Sequence, residues 1–269
     1  MDNTENIITT SSNILSRQER KILDVALIAG KLLLQSGAET FRVEDTVERI
    51  LNLSDHESFD VISTLTALFV SLQLKNGEYL SVSKRIKVRG VNLNMIQEVN
   101  SISRALANHE IDVDQANQQL NELIQFTRKE NTHDILLNMI CTSGFCMMVG
   151  GGIYESIFAA LSGPLINLAD YFIRKRNLGG FVPTFLKAFL AALFVCIASR
   201  FVPSLKIQAM IGGALMLLFP GTNLTNGIRD VMNGDYLTGA ANLLSALTTA
   251  LALAVGAAFA LMLTGVSAV

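Results

Sequence analysis

Residues 236–267 contain no charged side chain. That run of 32 residues is longer than the roughly 20 apolar residues that cross a hydrocarbon core about 30 Å thick. A helix built from it is expected to tilt or to extend past the bilayer. The rest of the chain sharpens the contrast. Only 16% of the 269 residues are charged, against about 25% in an average soluble chain. Residues 1–134 hold 33 of the 44 Asp, Glu, Lys and Arg residues, and residues 135–269 hold 11. Two solvents are implied, with a boundary near His133 and Asp134. The halves carry net charges of −5 and +3. Neither suggests nucleic-acid binding, so no nucleic-acid partner is expected.

The expected fold is an α-helical integral membrane protein, with about five transmembrane helices and an N-terminal cytoplasmic α+β domain. The expected division is a disordered tail over 1–16, a cytoplasmic domain over 17–130 and a membrane domain over 131–269. The start, MDNTENIITTSS, lacks the basic and apolar segments of a signal peptide, so secretion is not expected. Candidate spans are 134–152, 153–173, 181–201, 204–220 and one within 236–267. Arg128 and Lys129, and then Arg174, Lys175 and Arg176, place both flanks on the cytoplasmic side by the positive-inside rule. The N-terminus is then cytoplasmic. Lys187 is expected to snorkel to the interface, and Glu155 and Asp170, at opposite ends of the second span, to sit at the interfaces. Gly150–Gly152, Gly163-Pro164 and Gly212-Gly213 mark close helix contacts or breaks that line a cavity. Cys141, Cys146 and Cys196 have no metal-type spacing and are expected to be small core residues.

In the polar half, apolar residues at helical spacing predict a helix over 17–35, stopped by Ser36-Gly37. A second amphipathic helix runs over 40–51. Glu39 sits at the joint, either favoured there by the helix dipole or as part of a cytoplasmic gate. Three strands follow, near 58–66, 67–74 and 79–84, with a type I′ hairpin turn at Asn76-Gly77. Lys84, Arg85, Lys87 and Arg89 form a basic run, with 85, 87 and 89 on one face if extended. Asn92 or Asn94 is expected to cap a helix reaching about Asn108, and Asp112 another ending at Phe126. His56, His109 and His133 are expected at the surface. No nucleotide-binding, hydrolase, zinc-protease or CxxC motif is present. No enzymatic activity, cofactor or metal is therefore expected.

The polar stretch PGTNLTNGIRDVMNGDYLTG, Pro220–Gly239, interrupts two apolar runs. Irregular backbone at membrane depth is tolerated only where it is buried in protein or lines water. Asn223 and Asn226 offer neutral hydrogen-bonding groups there. Arg229 suits a carboxylate through its planar fork, Asp230 suits an amino group or a proton, and Asp235 adds a further charge. An interfacial loop with a local Arg-Asp pair is the plainer alternative.

Three stretches resemble the threonine/serine exporter family. They are Gly37-Ala38-Glu39-Thr40 with Arg42-Val43-Glu44-Asp45, then Arg89-Gly90-Val91-Asn92, and then Pro220-Gly221 with Asn226, Arg229-Asp230, Gly234 and Gly239. The resemblance covers the chain from about residue 17. It implies secondary export of small polar metabolites, most simply threonine- or serine-type amino acids, across the bacterial plasma membrane. It also implies the split form of the family, in which a smaller second membrane subunit completes the transporter. That form includes succinate exporters. A homo-oligomer is a further possible assembly. On this resemblance the substrate path draws on Glu39, Arg89, Asn92, Asn223, Asn226, Arg229, Asp230 and Asp235. The rival classes are a non-transporting membrane scaffold and a membrane-tethered hydrolase. The hydrolase lacks a clear nucleophile or metal.

Overall fold

A computed structural model describes residues 15–86, 90–126, 133–175, 180–202 and 204–266. The chain divides into two compact units. One comprises Met1–Lys129 with Thr225–Asn242, and the other Glu130–Leu224 with Leu243–Val269.

The first unit begins with α1 (Arg17–Gln35), whose start is fixed by a reciprocal capping box between Ser16 and Glu19. Its apolar face, including Val25, Ala26, Ala29 and Leu33, is fully buried. Each such aliphatic side chain contributes about 1.5–3 kcal/mol for the larger residues. Gly37 adopts φ +77° and turns the chain into α2 (Thr40–Leu51). Strands β1 (Ser58–Ser63), β2 (Ala67–Gln73) and β3 (Tyr79–Arg85) form an antiparallel sheet in chain order. Val61, Val70 and Val82 lie opposite one another in its register. Leu68, Val70 and Leu72 alternate inward and join the core built on α1 and α2. Helices α3 (Leu93–Ala107) and α4 (Val113–Phe126) complete that core. Asp112 caps α4 through the Gln115 amide at 2.7 Å, as expected.

One local expectation changes here. The hairpin is not type I′, because of its central residues only Gly77 has positive φ, at +84°. The Gly77 amide bonds to the Leu74 carbonyl at 2.8 Å, which gives a three-residue loop with Gly at the bulge position. The shared face expected for Arg85, Lys87 and Arg89 falls on residues 87–89, which lie outside the described residues; β3 itself ends at Arg85. Lys84 is turned inward near Asp24 of α1. Burial raises the Asp24 carboxyl, and the Lys84 charge opposes that shift.

The second unit holds α5 (His133–Met148), α6 (Ile153–Lys175), α7 (Phe181–Phe201) and α8 (Ile207–Met216). Helix α9 (Gly221–Met232) and helix α10 (Tyr236–Thr264) follow, and the unit boundaries fall within them. Among the described residues, α6, α7 and α10 are long and apolar enough to cross a membrane. Helices α8 and α9 form a fourth candidate only as a pair bent by 62°. The bend falls at Pro220, which lacks an amide proton and cannot continue a helix ladder. The expected spans at 134–152 and 204–220 are thus shorter than anticipated. Helix α5 has 16 residues and rises about 24 Å. It ends where Gly150 takes φ +92°.

Gly151, Gly163 and Gly213 serve close packing. Helix α6 runs unbroken through Gly163-Pro164. A Cβ on Gly163 would lie 3.1 Å from the Met139 amide nitrogen, so the glycine lets α5 approach. Cys146 and Cys196 are buried, whereas Cys141 is exposed on α5. Glu155, in the first turn of α6, is buried within the protein. It accepts from the Gly152 amide at 3.0 Å and the Lys206 amide at 3.2 Å. Lys187 reaches Asp170 at 2.5 Å.

Candidate functional site

The first unit closes around the joint between α1 and α2. Helix α1 stops because Gly37 takes a left-handed conformation, and a Cβ there would meet the Gly90 carbonyl at 3.0 Å. The second stretch of the resemblance is laid directly on this turn. The Gly90 amide donates to the Gln35 carbonyl at 2.9 Å, and the Asn92 amide to the Ser36 carbonyl at 3.1 Å.

The third stretch arrives from almost 200 residues away. Asn226 Nδ2 donates to the Gly37 carbonyl at 3.1 Å. Arg229 pairs with Glu39. Glu39 occupies the N-cap position of α2, yet its side chain makes no capping bond. Its carboxylate instead faces Arg229 and, at 3.7 Å, Arg42. The plain capping role is therefore displaced by an ion pair. Glu39 Oε2 has no hydrogen-bond partner among the described residues.

Asp230 is 2% exposed and accepts from Asn242 Nδ2 at 2.9 Å. The Thr40 hydroxyl is a further hydrogen-bonding neighbour of Asp230. Gly239 permits α9 and α10 to meet here, since a Cβ on it would fall 2.9 Å from the Val231 amide nitrogen and 3.0 Å from the Gly227 carbonyl.

Ser63, at the end of β1, ties the sheet into the same cluster. Its amide donates to Glu44 at 2.7 Å, and its hydroxyl to the Thr40 carbonyl at 3.4 Å. The Thr238 hydroxyl donates to the Ser63 carbonyl at 3.5 Å. Burial raises the Glu44 carboxyl above its ordinary value, the Ser63 amide opposes this, and the Asp235 and Glu48 charges add to it.

The structure thus brings Glu39, Asn226, Arg229 and Asp230 together, with Asp235 in electrostatic range of Asp230 and Glu44. Asn92 sits beside the joint, but its side chain caps α3 through the Met95 amide at 3.0 Å. Asn223 lies in the second unit, where it donates to Ser245 at 3.1 Å. Arg89 lies outside the described residues. Sequence reasoning passed over Thr40, Ser63, Thr238 and Asn242, and it gave Glu44 no role. A signal for two of these was present: Thr238, Asn242, Ser245 and Thr249 recur at helical spacing within an otherwise apolar run. Among the described residues, no group of His, Cys, Asp and Glu is arranged to hold a metal.

A known family, described as "Putative threonine/serine exporter", matches residues 24–264. The chain belongs to this exporter family. Two curated relatives align along nearly their whole lengths. One, from Escherichia coli K12, carries the name "Probable succinate transporter subunit YjjP". It is 23% identical over 252 residues, covering 93% of this chain and 97% of the relative. The other, from Klebsiella aerogenes, has the same name and is 23% identical over 254 residues, covering 92% and 96%. No solved structure matches the chain. With its apolar helices, this member of the exporter family is a multi-pass membrane protein.

Proposed function

We propose that this chain is one subunit of a two-component secondary exporter for a small carboxylate-bearing metabolite. Succinate is the first candidate, because two relatives named as succinate transporter subunits align over 97% and 96% of their lengths. Threonine or serine is the second, supported by the family's description. A smaller membrane subunit is the expected partner, and the bacterial plasma membrane the expected location.

The observation that carries the reading is the convergence of three distant stretches on the α1–α2 joint. Arg229 offers the planar donor fork that suits a carboxylate, and in the resting chain Glu39 occupies it. A substrate carboxylate competes with Glu39 for that fork. Its arrival frees Glu39 and loosens the joint. Asp230 stays buried beside Asn242 and supports either an ammonium group or a proton at the same place. In this reading residues 17–126 and 225–242 lie on the cytoplasmic side, so an even number of crossings separates them. The positive flank at Arg174–Arg176 agrees with that side.

The test is efflux from cells expressing this chain with and without the small subunit, loaded either with succinate or with threonine-containing dipeptides. Release that needs both chains is expected. Arg229→Ala should abolish it while membrane abundance stays normal; unchanged efflux in that variant defeats the assignment of Arg229.

A further inference from the structure

The second unit contains a polar layer that the joint does not use. Lys187 of α7 and Asp170 of α6 form an ion pair at 2.5 Å, with side chains 21% and 27% exposed. Asn167 lies three residues before Asp170 and therefore on the same helix face. Asn138 Nδ2 of α5 donates to Asn167 Oδ1 at 2.8 Å. Asn167 Nδ2 is buried and has no hydrogen-bond partner among the described residues.

These groups share one depth. Lys187 lies six residues, or about 9 Å, inside the start of α7. Asp170 and Asn167 lie about 7.5 and 12 Å before the end of α6, and Asn138 about 7.5 Å after the start of α5. Short connections make these helices antiparallel neighbours, so all four positions fall near one end of the bundle. Ionisable side chains within membrane helices are costly and face the bundle or a wet cavity. Here the layer combines an ammonium group held by a carboxylate with a buried donor that has no acceptor. A carboxylate is the partner that both kinds of group take, as a counter-ion for an ammonium and as an acceptor for an amide N–H.

We propose that Lys187, Asp170, Asn167 and Asn138 form a carboxylate-binding station inside the membrane unit, with Asp170 as the internal competitor for Lys187. Its place in transport rests on the exporter reading, but its binding chemistry does not. Helix α6 supplies both the competitor and the free donor, so occupancy of the station is read out as an exchange on one helix face.

The experiment uses the full chain in lipid nanodiscs, titrated with succinate, threonine or uncharged succinamide while thermal stability is followed. Saturable stabilisation by succinate or threonine, and none by succinamide, is expected. Lys187→Met should raise the half-saturating concentration about tenfold or more, the scale of losing one charged hydrogen bond, and Asn167→Ala should raise it less. Asp170→Asn should lower it, a gain that a purely structural ion pair does not produce. The double variant Lys187→Met/Asp170→Asn removes both charges of the pair, so it remains a test if the single variant misfolds; it should lose the station's response, and any carboxylate response left in it should vanish when Arg229→Gln is added. Wild-type chain without a carboxylate response, equal stabilisation by succinamide, or unchanged binding in Lys187→Met or in the double variant overturns the station. Efflux in cells with the small subunit is scored separately. Binding intact in nanodiscs with no efflux of either substrate rejects the exporter reading and leaves the station standing.

Discussion

The Glu39–Arg229 pair gives the most exacting prediction, because it joins two residues 190 positions apart. Its worth follows from its surroundings. Glu39 is 16% exposed at its side chain and Arg229 is 48% exposed. Fully exposed pairs contribute about 0.2–1 kcal/mol, and breaking a buried pair costs about 3–5 kcal/mol. A half-buried pair between these limits should show a coupling of about 1–2 kcal/mol. Arg42 tempers this. It lies 3.7 Å from the same carboxylate and partly replaces Arg229 when that residue is removed. The measurement is a double-mutant cycle, Glu39→Gln against Arg229→Gln, by equilibrium unfolding of the full chain in mixed micelles. The cycle is then repeated with Arg42→Gln. Coupling should be present in the first cycle and larger in the second. Additivity within about 0.4 kcal/mol in both, as for residues that do not touch, refutes the closed joint.

Other expectations follow from neighbouring contacts. Gly239→Ala places a methyl group against backbone atoms of α9 and should destabilise the chain by about 1–3 kcal/mol, as overpacking does; a melting temperature equal to wild type contradicts this. Asn242→Leu removes the Nδ2 donor to buried Asp230 and should cost about 1.5–3 kcal/mol, with Asp230→Asn/Asn242→Leu recovering part of the loss. Glu44 predicts a pH dependence. Its folded carboxyl is raised above 4.5, so its contribution to folding is fully present below the unfolded value and is lost as pH rises through the folded value. Glu44→Gln should flatten the fall in stability as pH rises above 4.5; an unchanged slope there removes Glu44 as its source.

Features set by local chemistry were readable from the sequence alone. The stop at Ser36-Gly37, the Asn92 and Asp112 caps and the break at Pro220 depend on residues within a few positions of one another. The three stretches at Glu39, Asn92 and Arg229 were also visible as unusual chemistry. Their meeting place was not, since Asn226 and Gly37 are separated by 189 positions and no periodicity spans that distance. Asn242 escaped notice because one amide barely changes the mean hydropathy of an otherwise apolar run. Lys187 and Asp170 looked interfacial when taken singly, and only the packing of α6 on α7 makes them partners. The Asn76-Gly77 turn shows the reverse limit, where the dipeptide located the turn but not its type.

The first unit is discontinuous, and this bears on how the protein is made. Its N-terminal part leaves the ribosome first and then waits while the 95 residues of Glu130–Leu224 are synthesised and inserted. At about 5–20 residues per second that delay lasts roughly 5–20 s. During it, Glu39 has no Arg229 and the Gly37 carbonyl no Asn226. The unit can be completed only by a chain that delivers Thr225–Asn242 to the side where its N-terminus waits. Folding of the polar domain therefore inspects the insertion of the helices that precede that segment. A chain threaded with the wrong parity is left with an open, unpaired joint for quality-control proteases to find.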